Sequence, residues 1–216
     1  MRAFSFVTTT MPHTQSWFPT LIHHAPLMRE GVNRLNAELL EEIEQLRAID
    51  RAGQQWSKTS YPGGYTSYGS MDRLHQFSST FMALEAKINA HVRRYAKALH
   101  WDLRGGKLKM TDCWANVMPK GCAHSFHLHP QSVVSGTYYV KTPRGASGLK
   151  FEDPRLSQLM AAPQRSQLAP REHQPFITVP AQAGHVILFE SWLRHEVPTS
   201  MIAQERVSIS FNYHLL

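Results

Sequence analysis

Cysteine is scarce: the chain has two thiols in 216 residues, Cys113 and Cys122, and a single close pair makes no disulfide framework. A reducing, cytoplasmic compartment is therefore expected. Long apolar runs are missing as well, none approaching the roughly 20 residues that a membrane-spanning helix needs. The first stretch, MRAFSFVTTTMPHTQSW, has neither a continuous apolar core nor a small-residue cleavage site, so neither export nor a membrane is expected. Acidic side chains are outnumbered, 16 against 23 lysines and arginines, for a formal net charge of +7. Such an excess raises the question of nucleic acid, because clustered cations release counterions from a phosphate backbone. Here the cations are scattered. The densest groups, HVRRYAK around Arg93 and LRGGKLK around Lys107, fall at an expected helix end and loop, where positive charge is favoured anyway. The reading is a solvated basic surface and no nucleic-acid partner.

What is present is enough for one core: 42% of the residues are hydrophobic, and the length suits one domain spanning 1–216. Between positions 32 and 49 the apolar residues Val32, Leu35, Leu39, Leu40, Ile43, Leu46 and Ile49 recur at three- and four-residue steps, which predicts a helix with one buried face. A second stripe, from Leu74 through Phe77, Phe81, Leu84, Ile88, Val92 and Tyr95 to Leu99, predicts another, ending near Gly105 and Gly106. Between them YPGGYTSYGS breaks both periods and is expected to be loop. From Lys107 onward the chain turns to short β-rich runs separated by turn residues: KLKMTDCWANVM, VVSGTYYV, LKFED, FITV, HVILFESW and RVSISFNYHLL. Strands with no helix between them predict an antiparallel sandwich or barrel rather than a parallel sheet. The expected fold is α+β and mostly β, a helical part over about 1–106 packed on a jelly-roll core over about 107–216. Positions 154–175 interrupt the strands with proline and polar residues, with one helical turn expected at 156–161, and read as a lid or a linker.

The segment HSFHLHPQSVVSGTYYV, positions 124–140, puts three histidines into six residues ahead of a strand. If 126–129 is extended, His127 and His129 share a face, since strand side chains alternate, and His124 need not join them. Two imidazoles on one face can clasp a metal. They can equally be ordinary polar residues in a chain with 13 histidines. A later strand run leads to His195, and beyond it Arg206 and Ser208 share a face in ERVSISFNYH. A zinc set of Cys113, Cys122, His124 and His127 has no recognised module spacing. Trp192 is expected to pack, and His185 and His214 to be structural.

Paired histidines on one strand, a distal His195 and then Arg206-x-Ser208 resemble the jelly-roll oxygenases that use Fe(II) and 2-oxoglutarate, whose pattern is His-x-Asp/Glu, a distal His and a following Arg. More closely, WFPT at 17–20, HLHPQSVVSGTYYV, LKFEDPR, ILFESWLRHEV and ERVSISFN resemble a bacterial and phage branch of that superfamily with a His-x-His-Pro motif. CWANVMPKGCAHSFHLH is also similar to the stretch before the metal site of the superfamily's DNA-repair dealkylases, with Asn116, Gly121 and His127 at matching intervals. The resemblance spans nearly the whole chain. It implies a double-stranded β-helix with the N-terminal helices on its major sheet. It also implies a dioxygenase that splits 2-oxoglutarate to succinate and CO2 while hydroxylating a substrate, a small molecule or peptide that the sequence does not identify.

The resemblance implies metal ligands at His127, His129 and His195, with His129 where the wider superfamily has a carboxylate. Asp153 or Glu152 in LKFEDPR is the alternative third ligand, although an Asp before Pro is also a common turn residue. Three imidazoles suit Fe(II), and also Zn, Ni and Cu. For the cosubstrate the resemblance implies Arg206, paired bidentately with the far carboxylate, and Ser208 beside it. Asn116 and Tyr138 are further candidates. An ion pair of Arg206 with Glu190 is the structural alternative. Two other functions stay open: a cupin-like three-His dioxygenase that does not use 2-oxoglutarate, and a catalytically silent jelly-roll binding module.

Overall fold

The computed structural model describes residues 14–216; positions 1–13, which hold most of the stretch expected to lack an export signal and the first part of the expected helical region, lie outside the described residues. Among the described residues ten strands form two antiparallel sheets: β1 Ile22–Pro26, β2 Tyr65–Thr66, β3 Leu108–Met118, β4 His124–His127, β5 Val134–Lys141, β6 Leu149–Glu152, β7 Phe176–Val179, β8 His185–Glu190, β9 His195–Val197 and β10 Arg206–Leu215. The major sheet runs β1-β8-β5-β10-β3-β2 and the minor sheet β4-β9-β6-β7, two layers of a double-stranded β-helix. Among the described residues no helix is long and apolar enough to cross a membrane.

Period-two alternation assigns the two faces of the major sheet. Val207, Ile209, Phe211 and Tyr213 of β10, Ala115 and Val117 of β3, and Tyr138 and Val140 of β5 lie in one apolar cluster with Leu39, Ile43, Leu84, Ile88 and Val92 of the helices. The residues between them turn to the minor sheet. There Met118, Tyr139, Ile187 and Phe189 pack with Leu149, Phe151 and Val197.

The helical layer follows the expected stripes with two differences. The first helix, α1, is Val32–Ile49, and a second, α2 Arg51–Ser60, follows at once and was not apparent from periodicity. Asp50 separates them, its carboxylate accepting from Gly53 N at 2.8 Å as the N-cap of α2. The second stripe is broken into α3 Leu74–Phe77 and α4 Ser79–Ala98, because Ser78 is extended and its hydroxyl caps α4 by accepting from Thr80 N and Phe81 N. The loop after α2 contributes β2, which pairs with β3 at Tyr65–Val117 and Thr66–Asn116. β1 closes the other edge of the sheet against β8. In the 154–175 segment the expected turn is a single 3-10 turn, Leu156–Gln158.

Candidate metal centre

His127 ends β4 and lies directly opposite His195, which opens β9. His129 follows just past the strand end, held there by its backbone N–H, which donates to Ser191 O at 3.0 Å. The three rings converge: the centroids of His127 and His195 are 4.2 Å apart, and His129 is 5.2 Å from each. One nitrogen from each ring lies within 4.8 Å of the others, and this is the one such group of three or more histidine, cysteine or carboxylate donors among the described residues.

Backbone carbonyls set two tautomers. Nδ1 of His127 meets Ser125 O at 2.8 Å and Nδ1 of His195 meets Leu193 O at 2.9 Å. A carbonyl only accepts, so each Nδ1 carries the proton and each Nε2 keeps its lone pair. His129 bonds to the Asn212 side chain, whose amide oxygen accepts from Ser135 Oγ at 2.8 Å. Burial, with the other imidazoles adding to it, pushes the pKa of His129 down to about 4 and that of His195 to about 2; burial also lowers that of His127. Three neutral imidazoles with free lone pairs fit a divalent first-row metal, because protonated rings could not bind one.

The pocket continues from the imidazoles along the inner faces of β10 and β3, where Ser208 stands opposite Asn116, and Arg206 opposite Met118. Arg206 is buried. Its guanidinium donates to Ser147 O and to the Met118 thioether, both at 2.8 Å, while its Nε has no partner. The hydroxyl of fully buried Tyr139 is also unpartnered, with the Arg206 guanidinium 5.5 Å from its ring. Among the described residues no carboxylate answers this cation, and Glu205 pairs with Arg47 instead. Buried donors without acceptors, and a thioether as a stand-in acceptor, fit an incoming carboxylate. The cavity itself is about 40 Å³, space for a few waters, so a dicarboxylate enters only as side chains yield.

The expected residues are thus partly brought together. Asn116, Ser208 and Arg206 share the pocket with His127, His129 and His195. Tyr138 does not. It faces the helical layer and its hydroxyl donates to Asn36, because alternation turns Tyr139 inward in its place. Asp153 and Glu152 stand apart from the imidazoles, in ion pairs with Arg155 and Arg194. Cys113 and Cys122 are buried in different apolar clusters, with no shared donor group. Trp192 is 47% exposed rather than packed. Sequence reasoning missed Tyr139, and also His124, which stacks on His127 at 4.0 Å and is pushed to about 3 by burial and by His127. No local signal separates Tyr139 from Tyr138, because the phase of β5 is fixed only by its pairing with β10.

Residues 112–212 match a family model described as "Putative 2OG-Fe(II) oxygenase". Among solved structures, the fold is similar to the non-heme alpha-ketoglutarate-dependent epimerase SnoN of nogalamycin biosynthesis, with a TM-score of 0.64 and 17% identity over 90% of this chain and 76% of that one. It is similar to HygX from Streptomyces hygroscopicus with nickel and 2-oxoglutarate bound, with a TM-score of 0.60 and 14% identity over 90% and 83% of the two chains. A Pseudomonas putida prolyl-4-hydroxylase gives 0.54 and 16%, covering 90% and 92%. At these identities the likeness is one of fold. No curated protein matches the sequence.

Proposed function

We propose that the chain is a 2OG-Fe(II) oxygenase, as the match of residues 112–212 to that family model supports, with His127, His129 and His195 holding Fe(II) and Arg206 anchoring 2-oxoglutarate in the adjoining pocket. The observation that carries this reading is the pairing of three neutral, convergent imidazoles with a buried guanidinium whose Nε, like the nearby Tyr139 hydroxyl, lacks an acceptor. Bound there, Fe(II) with 2-oxoglutarate and O2 supplies the oxidising power for hydroxylation, with succinate and CO2 released.

The chain's own residues do the placing. Ser125 O and Leu193 O hold the Nδ1 protons of His127 and His195, so both rings present Nε2. Asn212 orients His129. Arg206 exchanges the Met118 thioether, a weak acceptor, for the distal carboxylate, and Tyr139 and Ser208 add hydroxyl donors beside it. Asn116 is held by Ser210 Oγ at 3.1 Å and forms the wall. The substrate we propose is a small molecule or peptide entering beside the imidazoles.

Arg206→Ala tests the assignment. Removing one partner of a buried charge pair costs about 2–5 kcal/mol. Anaerobic calorimetry should show 2-oxoglutarate affinity lower by at least tenfold, with metal content unchanged. Equal affinity in the variant would remove the cosubstrate assignment.

A further inference from the structure

Aromatic rings run from the surface to the candidate metal centre without a gap. Trp56 lies 5.9 Å from Tyr68, Tyr68 lies 5.0 Å from Trp114, and Trp114 stacks on His129 at 6.0 Å and 28°. Tyr68 is 49% exposed, and Trp114 is buried on the pocket wall. The arrangement is built into the backbone. A Cβ on Gly69 would sit 2.4 Å from the Trp56 ring, so only glycine lets that ring lie against the loop carrying Tyr68. Trp114 is in turn fixed by its β3 position opposite Ser210. Indole and phenol are the side chains that release an electron most readily, and tunnelling between them weakens steeply with distance, so adjoining rings form the preferred path.

We propose that Tyr68 and Trp114 form an electron relay that drains oxidising equivalents from the metal centre to the surface when no substrate takes them. The inference rests on the metal assignment above. Trp114 gives one electron through His129 to the oxidised centre, lowering it by one equivalent. Tyr68 refills Trp114 and releases its phenolic proton to solvent, so the charge left behind is a neutral tyrosyl radical. A one-electron reductant in solution, such as ascorbate, with a proton from water, restores the phenol at the exposed ring. Trp56 is a side branch beside Tyr68. The oxidant is O2 or peroxide reacting at the metal.

The test oxidises Fe(II)-loaded protein without substrate in two arms, one with 2-oxoglutarate and O2, the other with hydrogen peroxide, which needs no cosubstrate. Freeze-quenched samples are read by electron paramagnetic resonance for a tyrosyl radical and by peptide mass spectrometry for oxygen added to side chains. Wild-type protein should give the tyrosyl signal. Tyr68→Phe should lose it, and Trp114→Phe should lower it at least tenfold while oxygen addition rises at residues lining the pocket. Both variants keep a ring of similar shape, and circular dichroism checks their folding. A radical in the peroxide arm without one in the other would uphold the relay and count against 2-oxoglutarate use. A tyrosyl signal and oxidation pattern unchanged by both substitutions, or no radical in iron-loaded protein under peroxide, would overturn the relay.

Discussion

At the scale of single residues, burial decides how metal binding responds to pH. Three imidazoles at the reference pKa of about 6.5 would cost a metal about fiftyfold in affinity between pH 7.5 and 6.0, because each ring must lose its proton first. Here burial holds His129 near 4 and His195 near 2, so those two rings are already neutral across that range, and His127, also lowered by burial, takes up a proton less readily than a free imidazole. Anaerobic Fe(II) titrations at the two pH values should therefore agree within a few-fold, and a fiftyfold loss would show that the imidazoles are not kept neutral. His127→Ala and His195→Ala should each abolish Fe(II) binding. His129→Asp should retain it, since a carboxylate is an acceptable third donor for this metal. Loss of iron in His129→Asp, with retention in His195→Ala, would relocate the site.

At the scale of elements, Asp50 couples the helical layer to the edge of the major sheet. Its carboxylate accepts from Gly53 N and Tyr65 Oη, both at 2.8 Å, and from Ser70 Oγ at 2.6 Å, so it caps α2 and ties down β2 and the loop behind it. Gly53 permits this contact, because a Cβ there would fall 2.0 Å from Asp50 Oδ2. Asp50→Ala leaves buried donors unpaired and removes a cap, a loss on the order of 3 kcal/mol. A urea midpoint within experimental error of wild type would refute that role. The loop so anchored carries Tyr68, so the same variant should also raise the mobility of the aromatic wall, seen as altered tryptophan fluorescence. The stripes of α1 and α4 were legible because a helix packed on a sheet needs one continuous apolar face. The break at Ser78 was not, because Leu74 and Phe77 keep the period across it and only the hydroxyl's capping bonds reveal the new start.

At the scale of the whole molecule, several half-buried or buried histidines are held neutral: His23 near 4, His124 near 3, His129 near 4 and His195 near 2. Each has a folded pKa below its unfolded value of about 6.5, so below that pH the unfolded chain binds protons that the folded chain refuses. Stability must then fall as pH drops from about 6.5 towards 4. The melting temperature of metal-free protein should decline steadily over that window, and bound metal should raise the whole curve without flattening it, because ligated rings take up no more protons than neutral ones do. A melting temperature that holds constant or rises from pH 6.5 to 4 would contradict the burial of these rings as neutral species.

Residue order alone determined the two helical stripes and the run of short strands after Lys107, because each depends on local period, and the resemblance to the Fe(II)/2-oxoglutarate oxygenases supplied the candidate set His127, His129, His195, Arg206 and Ser208. Tertiary structure decided the rest. Which of Tyr138 and Tyr139 faces the pocket is a matter of strand phase, and phase is fixed only when β5 pairs with β10, setting Tyr139 opposite Ser208 and Tyr138 opposite Ile209. Asp153 and Glu152 lie close in sequence to a strand of the site, yet Arg155, two residues on, claims Asp153, and Arg194 claims Glu152 in an ion pair that exists only once β6 and β9 are side by side. The wall of Tyr68 and Trp114 joins a loop to a strand through contacts that no local pattern encodes. Spacing along a chain names candidates, and the packing of two sheets chooses among them, because a side chain's direction is set by the partner strand it pairs with.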